Sequence, residues 1–577
     1  MRNIIIVAVC LLSSLGLFFI SPDILSNTFI EYGEIDPFSR KINLESKIQS
    51  NNRKSLSIRV AQGEFESMSF YIKSKNDISD LNISSSDFSN KDSTIESKFL
   101  DIKYVKYWYQ AGGAWSSHRI DRRKKSILVP ELLINDQELI KVDKYKKINY
   151  IKTKNNGYVH ITGKKTKKRK SIEKYIINDT LTLQPVSIKK NIAEQFFVTV
   201  YISNKTKPGV YEGEIILDSV KIEVAIPVKI EVLPFKLEPP NLIYSLYYRG
   251  KLHYGKRLIS SELKTENQLK VELKDMVNHG VCCPTMYQKV FRGVKNDNIP
   301  RNISLFERYL DIRESSGVAN SMLFYLGLLT GGESSLNDLP GHRQKVNKII
   351  SLSKKYGVKD VFFYGKEEKR SHEYDEQKPA WDIVRQQGGK VFVAIDDRYF
   401  MKAQNSIADI SVYHDDITKE NSLKVHKLGS KILSYSNPQV GVENPQIYRE
   451  NYGFNLLRND FDGVMTYAYQ DSMGLIWNDF DHPNYRDLAF TYPTSDGVVG
   501  TVAWEAFREA VDDVRYYQTY KKIFDEQLVC QLNNKFLNPD EILGRAVSPD
   551  QVRNVFIKEI MRNIKYISAK KPACLKK

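Results

Sequence analysis

The chain carries two adjacent acids, Glu367 and Glu368, which follow the largely apolar run 360–365 after one lysine, Lys366. Neighbouring side chains on a strand point to opposite faces, so both acids reach one ligand only where the strand becomes a loop. A buried strand that ends in acids is typical of the catalytic rim of a β/α barrel. The alternative is that residues 366–370 form a solvated charged loop. A competing acidic pair, Asp375-Glu376, lies beyond the predicted strand.

Other polar and aromatic side chains follow predicted strands and could surround a ligand. Tyrosine and tryptophan present an apolar ring with a polar edge, which suits the faces and hydroxyls of a sugar. Packing in the core or anchoring of a loop is the alternative for each of them. The candidate binding residues are Tyr364, Tyr467, Tyr469, Gln470, Trp477, Asn478, Asp479 and Asn437, with Arg249 and His253 as weaker candidates.

Two different patterns of apolar and turn residues along the chain predict the elements that position these residues. Residues 58–237 show short alternating strands broken by turn residues, which is typical of an antiparallel β-sandwich. After Pro239-Pro240 the pattern becomes strand, helix, strand, which predicts a (β/α)8 TIM-like barrel. The predicted barrel strands are 242–248, 281–286, 321–326, 360–364, 390–395, 410–413, 431–434 and 463–467.

Four segments follow from these patterns. We expect a signal peptide or N-terminal anchor at 1–22, a β-sandwich at 40–238, a barrel at 241–525 and a short helical C-terminal appendage at 526–577. The apolar run 4–20 after Arg2 is typical of an export signal, and an uncleaved anchor is the alternative. The expected location is therefore periplasmic, extracellular or membrane-anchored through this segment.

The net charge indicates the class of partner, and the cysteines indicate where a disulfide could form. The formal net charge is +17, with basic clusters at 122–125 and 164–170. On an exported chain these clusters favour an anionic glycan or a membrane surface over nucleic acid, and solvated loops are the alternative. Cys282-Cys283 is expected in the core, whereas Cys530 and Cys574 could pair. No residue spacing matches a metal motif, so we expect neither metal nor cofactor.

Several stretches together resemble the bacterial proteins of glycoside hydrolase family 123. The resemblance covers about residues 58–524. It rests on 60–66, 107–112, 130–133, 207–213, 363–368, 388–394, 467–470 (Tyr-Ala-Tyr-Gln), 476–482 and 492–497, with Trp504, Glu505, Arg508, Glu509, Asp512 and Asp513 behind them.

The resemblance implies a retaining glycosidase that acts on N-acetylgalactosamine units by substrate-assisted catalysis. In that mechanism the 2-acetamido oxygen of the sugar attacks the anomeric carbon, an exception to the two-carboxylate scheme. By position, Glu368 takes the acid/base role and Glu367 the role of orienting the acetamide. The family has Asp where this chain has Glu367, and usually an acid where it has Gly500.

Two rival functions stay open on the same scaffold. The first is a catalytically impaired protein that binds glycans or assembles with a surface polysaccharide, which the Asp-to-Glu change and the basic clusters favour. The second is a two-carboxylate glycosidase, which needs another acid about 5–10 Å away, for example Asp396 or Asp479.

Overall fold

The computed structural model describes residues 29–38, 55–111, 126–163, 175–220, 222–255, 259–291, 299–367, 371–395, 407–441, 444–472, 474–482, 486–529, 537–545 and 547–569. Several predictions fall on residues outside these ranges: the segment 1–22, both basic clusters, Glu368, Asp396, Cys530 and Cys574.

The first half of the chain forms antiparallel sheets. Its strands are β1 (Ile30–Glu34), β2 (Leu56–Gln62), β3 (Phe65–Ser74), β4 (Ile78–Ser85), β5 (Phe88–Ser89), β6 (Thr94–Ile95), β7 (Leu100–Ala111), β8 (Ser126–Ile134), β9 (Ile140–Asp143), β10 (Ile148–Thr153), β11 (Gly157–His160), β12 (Val186–Ile188), β13 (Ala193–Tyr201), β14 (Gly209–Ser219) and β15 (Ile222–Lys236).

Alternating side chains fix the register of the sandwich. In β15, Ile226, Val228 and Ile230 are buried while Lys229 and Glu231 face outward, so a shift of one residue would expose the whole apolar set. One sheet has the order β12-β4-β14-β15-β2, in which only the β15–β2 pair is parallel. A separate three-stranded sheet, β11-β10-β9, packs beside β7.

The second half forms a curled parallel sheet. Its strands and the short ladders around it are β16 (Ile243–Leu246), β17 (Lys251–Leu252), β18 (Leu263–Lys264), β19 (Met322–Thr330), β20 (Asp360–Gly365), β21 (Lys390–Ile395), β22 (Ile410–Tyr413), β23 (Lys431–Ser434), β24 (Gly463–Thr466), β25 (Gln470–Asp471), β26 (Leu488–Ala489), β27 (Thr491–Pro493) and β28 (Val498–Thr501). Seven of these form one sheet in the order β16-β24-β23-β22-β21-β20-β19.

Seven of the eight predicted barrel strands are strands of this sheet. The remaining one, at 281–286, bridges the two edge strands through single hydrogen bonds instead of a continuous ladder. Cys282 N donates to Tyr244 O at 3.0 Å and Met286 N donates to Phe324 O at 2.8 Å. Inside the curl, Phe324, Phe362, Phe392 and other apolar side chains pack together with the buried Cys283.

Helices cover the outer face of this sheet and form the C-terminal region. They are α1 (Glu266–Asn278), α2 (Ile299–Ser315), α3 (Glu333–Leu336), α4 (Leu339–Lys355), α5 (Ser371–Asp375), α6 (Lys378–Gln386), α7 (Lys419–Lys427), α8 (Pro445–Tyr452), α9 (Phe454–Arg458), α10 (Val502–Val529), α11 (Pro539–Leu543) and α12 (Pro549–Ala569). A reciprocal capping box between Thr265 and Gln268 starts α1. None of the helices among the described residues is long and apolar enough to cross a bilayer.

The two halves share one sheet. Its order is β1-β3-β13-β7-β8-β28-β27, so β27 and β28, which fall in the predicted barrel range, extend the sandwich. The strand β1, which lies before residue 40, pairs with β3 along Ile30–Glu34. The helix α12 docks where the halves meet, since Arg553 contacts Glu66 of the sandwich and Asp513 of α10.

Candidate functional site

A cleft of about 860 Å³ opens at the carboxyl ends of the parallel strands. This is the end of a β/α sheet where side chains from several strands converge on one ligand. The residues that line the cleft include Tyr247, Arg249, Lys251, Tyr287, Lys289, Phe291, Leu326, Tyr364, Glu367, His414, Tyr435, Gln439, Tyr467, Asp471 and Leu488. Aromatic walls with a few charged groups at the floor are typical of a site for a small polar ligand.

The end of β20 places a tyrosine and a carboxylate in this cleft. The strand alternates, so Val361 and Phe363 pack outward against helices while Phe362 and Tyr364 point into the curl. The Tyr364 hydroxyl donates a hydrogen bond to Glu367 Oε2. Glu367 is exposed to the cleft, and its partner Glu368 lies outside the described residues.

The loop that carries Glu367 is held by a buried amide. Gln377 Oε1 accepts the Lys366 backbone N–H at 2.8 Å, and Gln377 Nε2 donates to Lys366 O at 3.1 Å. Gln377 is almost fully buried at the end of the helical turn that follows. Since both backbone groups of Lys366 are tied down, the direction of the chain at Glu367 is fixed by packing below the cleft.

Tyr247 connects the two sides of the cleft floor. Its ring centroid lies 6.3 Å from that of Tyr364, 5.6 Å from Tyr435 and 5.1 Å from Tyr467. Burial raises the pKa of Tyr247 well above the usual value, and Tyr435 and Glu367 raise it further. The tyrosines of the floor are therefore neutral hydroxyls that can donate or accept hydrogen bonds.

A second carboxylate that lines the cleft, Asp471, is held by an arginine and a tyrosine. Tyr467 Oη donates to Asp471 Oδ2 at 2.6 Å, and Arg249 Nη1 lies 3.0 Å from both Asp471 oxygens. Arg249 Nη1 also donates to Tyr467 Oη at 3.2 Å. The same guanidinium pairs with Glu262, which in turn binds Lys251 at 3.0 Å. We call Tyr467, Asp471, Arg249 and Glu262 the mouth network.

Burial and charge act in opposite directions on Asp471. The residue is 6% exposed, and burial raises its pKa, while Arg249 and Tyr467 lower it. Its oxygens already accept hydrogen bonds from Arg249 and Tyr467, so Asp471 is suited to orienting neighbours more than to attacking a substrate. The sequence reasoning missed Asp471, although it directly follows the motif Tyr467-Ala468-Tyr469-Gln470.

The structure brings three of the predicted site residues into the cleft, namely Tyr364, Glu367 and Tyr467. Asn437 lies two residues before the cleft residue Gln439, and its Nδ2 donates to Asp415 O at 2.7 Å. Arg249 was a weaker candidate from sequence and is in the cleft. His253 is not among the residues that line it.

Tyr469 and Gln470 lie behind the strand wall, away from the cleft. Tyr469 Oη donates to Asp275 Oδ2 at 2.8 Å on α1. Gln470 Nε2 donates to Glu272 Oε1 at 3.1 Å, and Gln470 Oε1 accepts from Lys264 Nζ at 2.8 Å. The chain turns outward after Tyr467, so these two side chains face the helix layer and hold the wall from behind.

Trp477, Asn478 and Asp479 also lie outside the cleft lining, at the junction with the sandwich. The Trp477 ring is 1% exposed and packs 6.1 Å from Trp108 and 4.9 Å from Tyr492. Asn478 Nδ2 donates to Gly163 O at 3.0 Å, and Asp479 Oδ2 accepts the Ala111 N–H at 2.6 Å. The loop after β24 therefore anchors the sandwich to the barrel rim.

The other candidate carboxylates that the structure describes do not line the cleft. Burial raises the pKa of Asp479 to about 7, and Arg486 opposes this rise. Asp375 ends α5 and Glu376 follows it on the surface, and neither lines the cleft. Among the described residues, Glu367 and Asp471 are the carboxylates that do. No group of three metal-binding side chains occurs in the described part of the chain.

Comparisons with known proteins support the class of fold. No family model and no curated protein matches the chain. Among solved structures, a family 123 glycoside hydrolase from Clostridium perfringens, studied for glycolipid glycan hydrolysis, matches with a TM-score of 0.58 and 14% identity over 94% of this chain and 97% of that chain. The fold thus resembles that of a glycoside hydrolase of this family.

Other solved structures match less well. A β-glucuronidase from Parabacteroides merdae has a TM-score of 0.30 with 10% identity, covering 58% of this chain and 48% of that chain. An endo-β-1,4-mannanase from Thermotoga petrophila has a TM-score of 0.28 with 11% identity, covering 48% and 77%. At these TM-scores neither structure supports a conclusion. The comparisons therefore support the resemblance to family 123 at the level of the fold.

Proposed function

We propose that this protein is an exported glycoside hydrolase that acts on N-acetylhexosamine-containing glycans of the N-acetylgalactosamine type by retaining, substrate-assisted hydrolysis. Glu368 serves as acid and then base, and Glu367 orients the acetamide. The partner is a glycan and not nucleic acid, and the only membrane contact is through the N-terminal segment. No cofactor takes part.

The observation that carries the proposal is the Tyr364–Glu367 pair at the mouth of the curled sheet. A hydrogen bond from Tyr364 restrains Glu367 in a cleft lined by tyrosines, and the fold resembles that of a family 123 glycoside hydrolase. A carboxylate held in this way can accept the acetamide N–H of a bound sugar and balance the positive charge of the cyclic intermediate.

The proposed reaction moves one proton in each half. The acetamide oxygen attacks the anomeric carbon while Glu368 gives its proton to the leaving oxygen, which breaks the glycosidic bond. Glu368, now ionised, takes a proton from water, and that water opens the intermediate with overall retention. Glu367 is one methylene longer than the Asp of the family, and a misplacement of about 1 Å can lower a rate by about 10²-fold.

The test is hydrolysis of the nitrophenyl β-glycoside of N-acetylgalactosamine. We expect Glu368→Gln to lower kcat by about 10³-fold or more with little change in ligand affinity, because the attack of water on the intermediate loses its general base, whereas the nitrophenolate leaving group needs little protonation. Glu376→Gln, in the competing acidic pair, is the matched control and should keep wild-type kinetics. Equal rates for wild type and Glu368→Gln would exclude the assignment.

A catalytically impaired glycan-binding protein is the second candidate. The observation that favours it is Glu367 itself, a longer side chain than the family aspartate, whose carboxylate already accepts a hydrogen bond from Tyr364. Binding of N-acetylgalactosamine without turnover would identify this function. A gain of hydrolysis in Glu367→Asp would then trace the lost activity to the extra methylene.

A further inference from the structure

The three-stranded sheet beside β7 exposes one face that is rich in lysine and aromatic residues. In its register Tyr150 lies opposite Lys141 on one side and His160 on the other, and Lys152 lies opposite Tyr158. The β9–β10 hairpin adds four exposed residues at its tip, Lys144, Tyr145, Lys146 and Lys147. We call these nine residues the basic sheet face.

Most of the positive charge on this face is not neutralised. Lys152 pairs with Asp136 at 3.0 Å, and Lys141 Nζ lies 5.6 Å from the centre of the Tyr158 ring. The side chains of Lys144, Lys146 and Lys147 make no hydrogen bond or ion pair with any described residue. The hairpin tip therefore projects three exposed lysines into solvent, of which Lys144 also opposes the rise that burial causes in the pKa of Glu194.

Exposed lysines on the barrel half behave differently. Several of them pair with a neighbouring acid, as in Lys378–Asp382 at 2.6 Å, Lys419–Asp460 at 2.8 Å and Lys390–Asp360 at 2.9 Å. The basic sheet face therefore differs from these pairs in that four of its five lysines form no ion pair with a described residue. The physical consequence is a positive potential that attracts polyanions over about 8 Å at physiological ionic strength.

Aromatic rings lie among these cations. Tyr145 at the hairpin tip is 95% exposed, so its ring is accessible to a ligand. Tyr150 and His160 form a ring pair with centroids 5.6 Å apart, and Tyr158 is also exposed. Rings beside lysines offer a stacking surface for the apolar face of a sugar and a countercharge for its acidic groups.

The basic sheet face is connected to the rim of the cleft. Gly163, three residues after β11, accepts a hydrogen bond from Asn478, and Ala111 of β7 donates to Asp479. The same loop returns to Leu488, which pairs with Asp471 in the β25–β26 ladder and lines the cleft. A polymer held on the sheet would thus lie beside the carboxyl ends of the barrel strands.

We propose that the basic sheet face is a docking surface for an anionic polysaccharide, one that carries sulfate or uronate groups. The lysines hold the acidic groups, the tyrosines stack on sugar rings, and the surface keeps the polymer next to the cleft. The choice of a polysaccharide over other polyanions rests on the proposed function, whereas the surface itself does not depend on catalysis.

The experiment measures binding of the full chain to immobilised chondroitin sulfate and to immobilised dextran, at low and at physiological salt. We expect Lys144→Gln/Lys146→Gln/Lys147→Gln to bind chondroitin sulfate about tenfold more weakly at low salt, as expected for three exposed ionic contacts. Tyr145→Ser should weaken it about threefold through lost stacking. Dextran binding should not change.

The matched control replaces three exposed lysines of α4, as Lys348→Gln/Lys354→Gln/Lys355→Gln. This variant has the same net charge but should bind chondroitin sulfate like wild type. Equal weakening in both triple variants would show that only net charge matters and would overturn the proposal. So would tighter binding of RNA or of anionic lipid vesicles that is lost in the hairpin variant.

A small-substrate assay separates this proposal from the proposed function. The hairpin variant should hydrolyse the nitrophenyl glycoside at the wild-type rate, because its substitutions lie outside the cleft. If the wild type does not hydrolyse that substrate, the proposed function fails, and the binding comparison still decides the docking surface.

Discussion

The barrel mouth and the basic sheet face use charge in opposite ways. At the mouth, Arg249 is shared by Asp471, Glu262 and Tyr467, so its position is fixed by its partners. On the sheet, Lys146 and Lys147 form no ion pair with a described residue and extend into solvent. The first arrangement presents groups in a set geometry, as catalysis requires. The second arrangement attracts anions without fixing their orientation, which suits the retention of a polymer.

This comparison predicts how the two regions respond to substitution. Where charges are buried and paired, removal of one partner leaves the other uncompensated and costs several kcal/mol. Where charges are exposed, removal costs little stability and changes only binding.

The largest effect is expected directly behind the mouth. Lys264 and Glu272 form a fully buried pair at 2.7 Å that also holds Gln470. Lys264→Met would leave Glu272 without its cation and should lower the free energy of unfolding by about 3–5 kcal/mol. Denaturant unfolding measures this, with the exposed Lys390→Met as control at about 0–1 kcal/mol. Equal losses would contradict the contrast between the regions.

The mouth network should show the next largest effect. Arg249→Met removes the cation from Asp471 and should lower the free energy of unfolding by about 2 kcal/mol, since the arginine is partly exposed. Affinity for N-acetylgalactosamine should fall about tenfold as Tyr467 loses its fixed orientation. Calorimetric titration measures the affinity. Lys251→Met, which touches Glu262 but not Asp471, should have less than half of each effect.

The junction loop should show a pH dependence. The unfolded chain loses the Asp479 proton near the ordinary pKa of 3.8, whereas the folded protein keeps it until about pH 7. The folded state therefore binds more protons in this window, and the Asp479 contribution to stability falls as pH rises from about 4 to 7. Asp479→Asn should remove this fall from unfolding curves taken between those pH values. Parallel curves for variant and wild type would count against a raised pKa.

The smallest effect is expected for the hydrogen bond that links the loop at the rim of the cleft to Gly163, just after the three-stranded sheet. Asn478→Ala removes one hydrogen bond to Gly163 and should lower the free energy of unfolding by about 1 kcal/mol. KM for the nitrophenyl glycoside should stay at the wild-type value, because Asn478 does not line the cleft. A several-fold rise in KM would restore Asn478 as a ligand of the sugar.

Local pattern was enough to locate most of the parallel strands. Short apolar runs predicted β21, β22 and β23 with the observed bounds. The segment 281–286, Val-Cys-Cys-Pro-Thr-Met, forms only isolated bridges, and its Pro284 has no N–H to donate to a continuous ladder. Strands β27 and β28 were assigned to the barrel range and instead pair with the sandwich.

Part of the candidate site could also be predicted from the local sequence pattern. Alternation on β20 places Tyr364 inside the curl, and the position of Glu367 at the strand end follows from the sequence. Beyond the last residue of β24, alternation no longer applies. Tyr467 therefore faces the cleft and Tyr469 faces α1, a difference that no periodicity predicts.

By itself the sequence determined the alternating cores, the change of rhythm near residue 240 and the acidic end of β20, because these depend on side-chain type at short spacing. Only the tertiary structure decided which polar residues meet. Arg249 and Asp471 are 222 positions apart along the chain and are hydrogen-bonded directly, and Tyr467 contacts both. The sandwich is anchored by Trp477, Asn478 and Asp479, because residues far away in sequence, Ala111 and Gly163, bind this loop. Contacts at such separations arise from the packing of whole elements, which local composition does not encode.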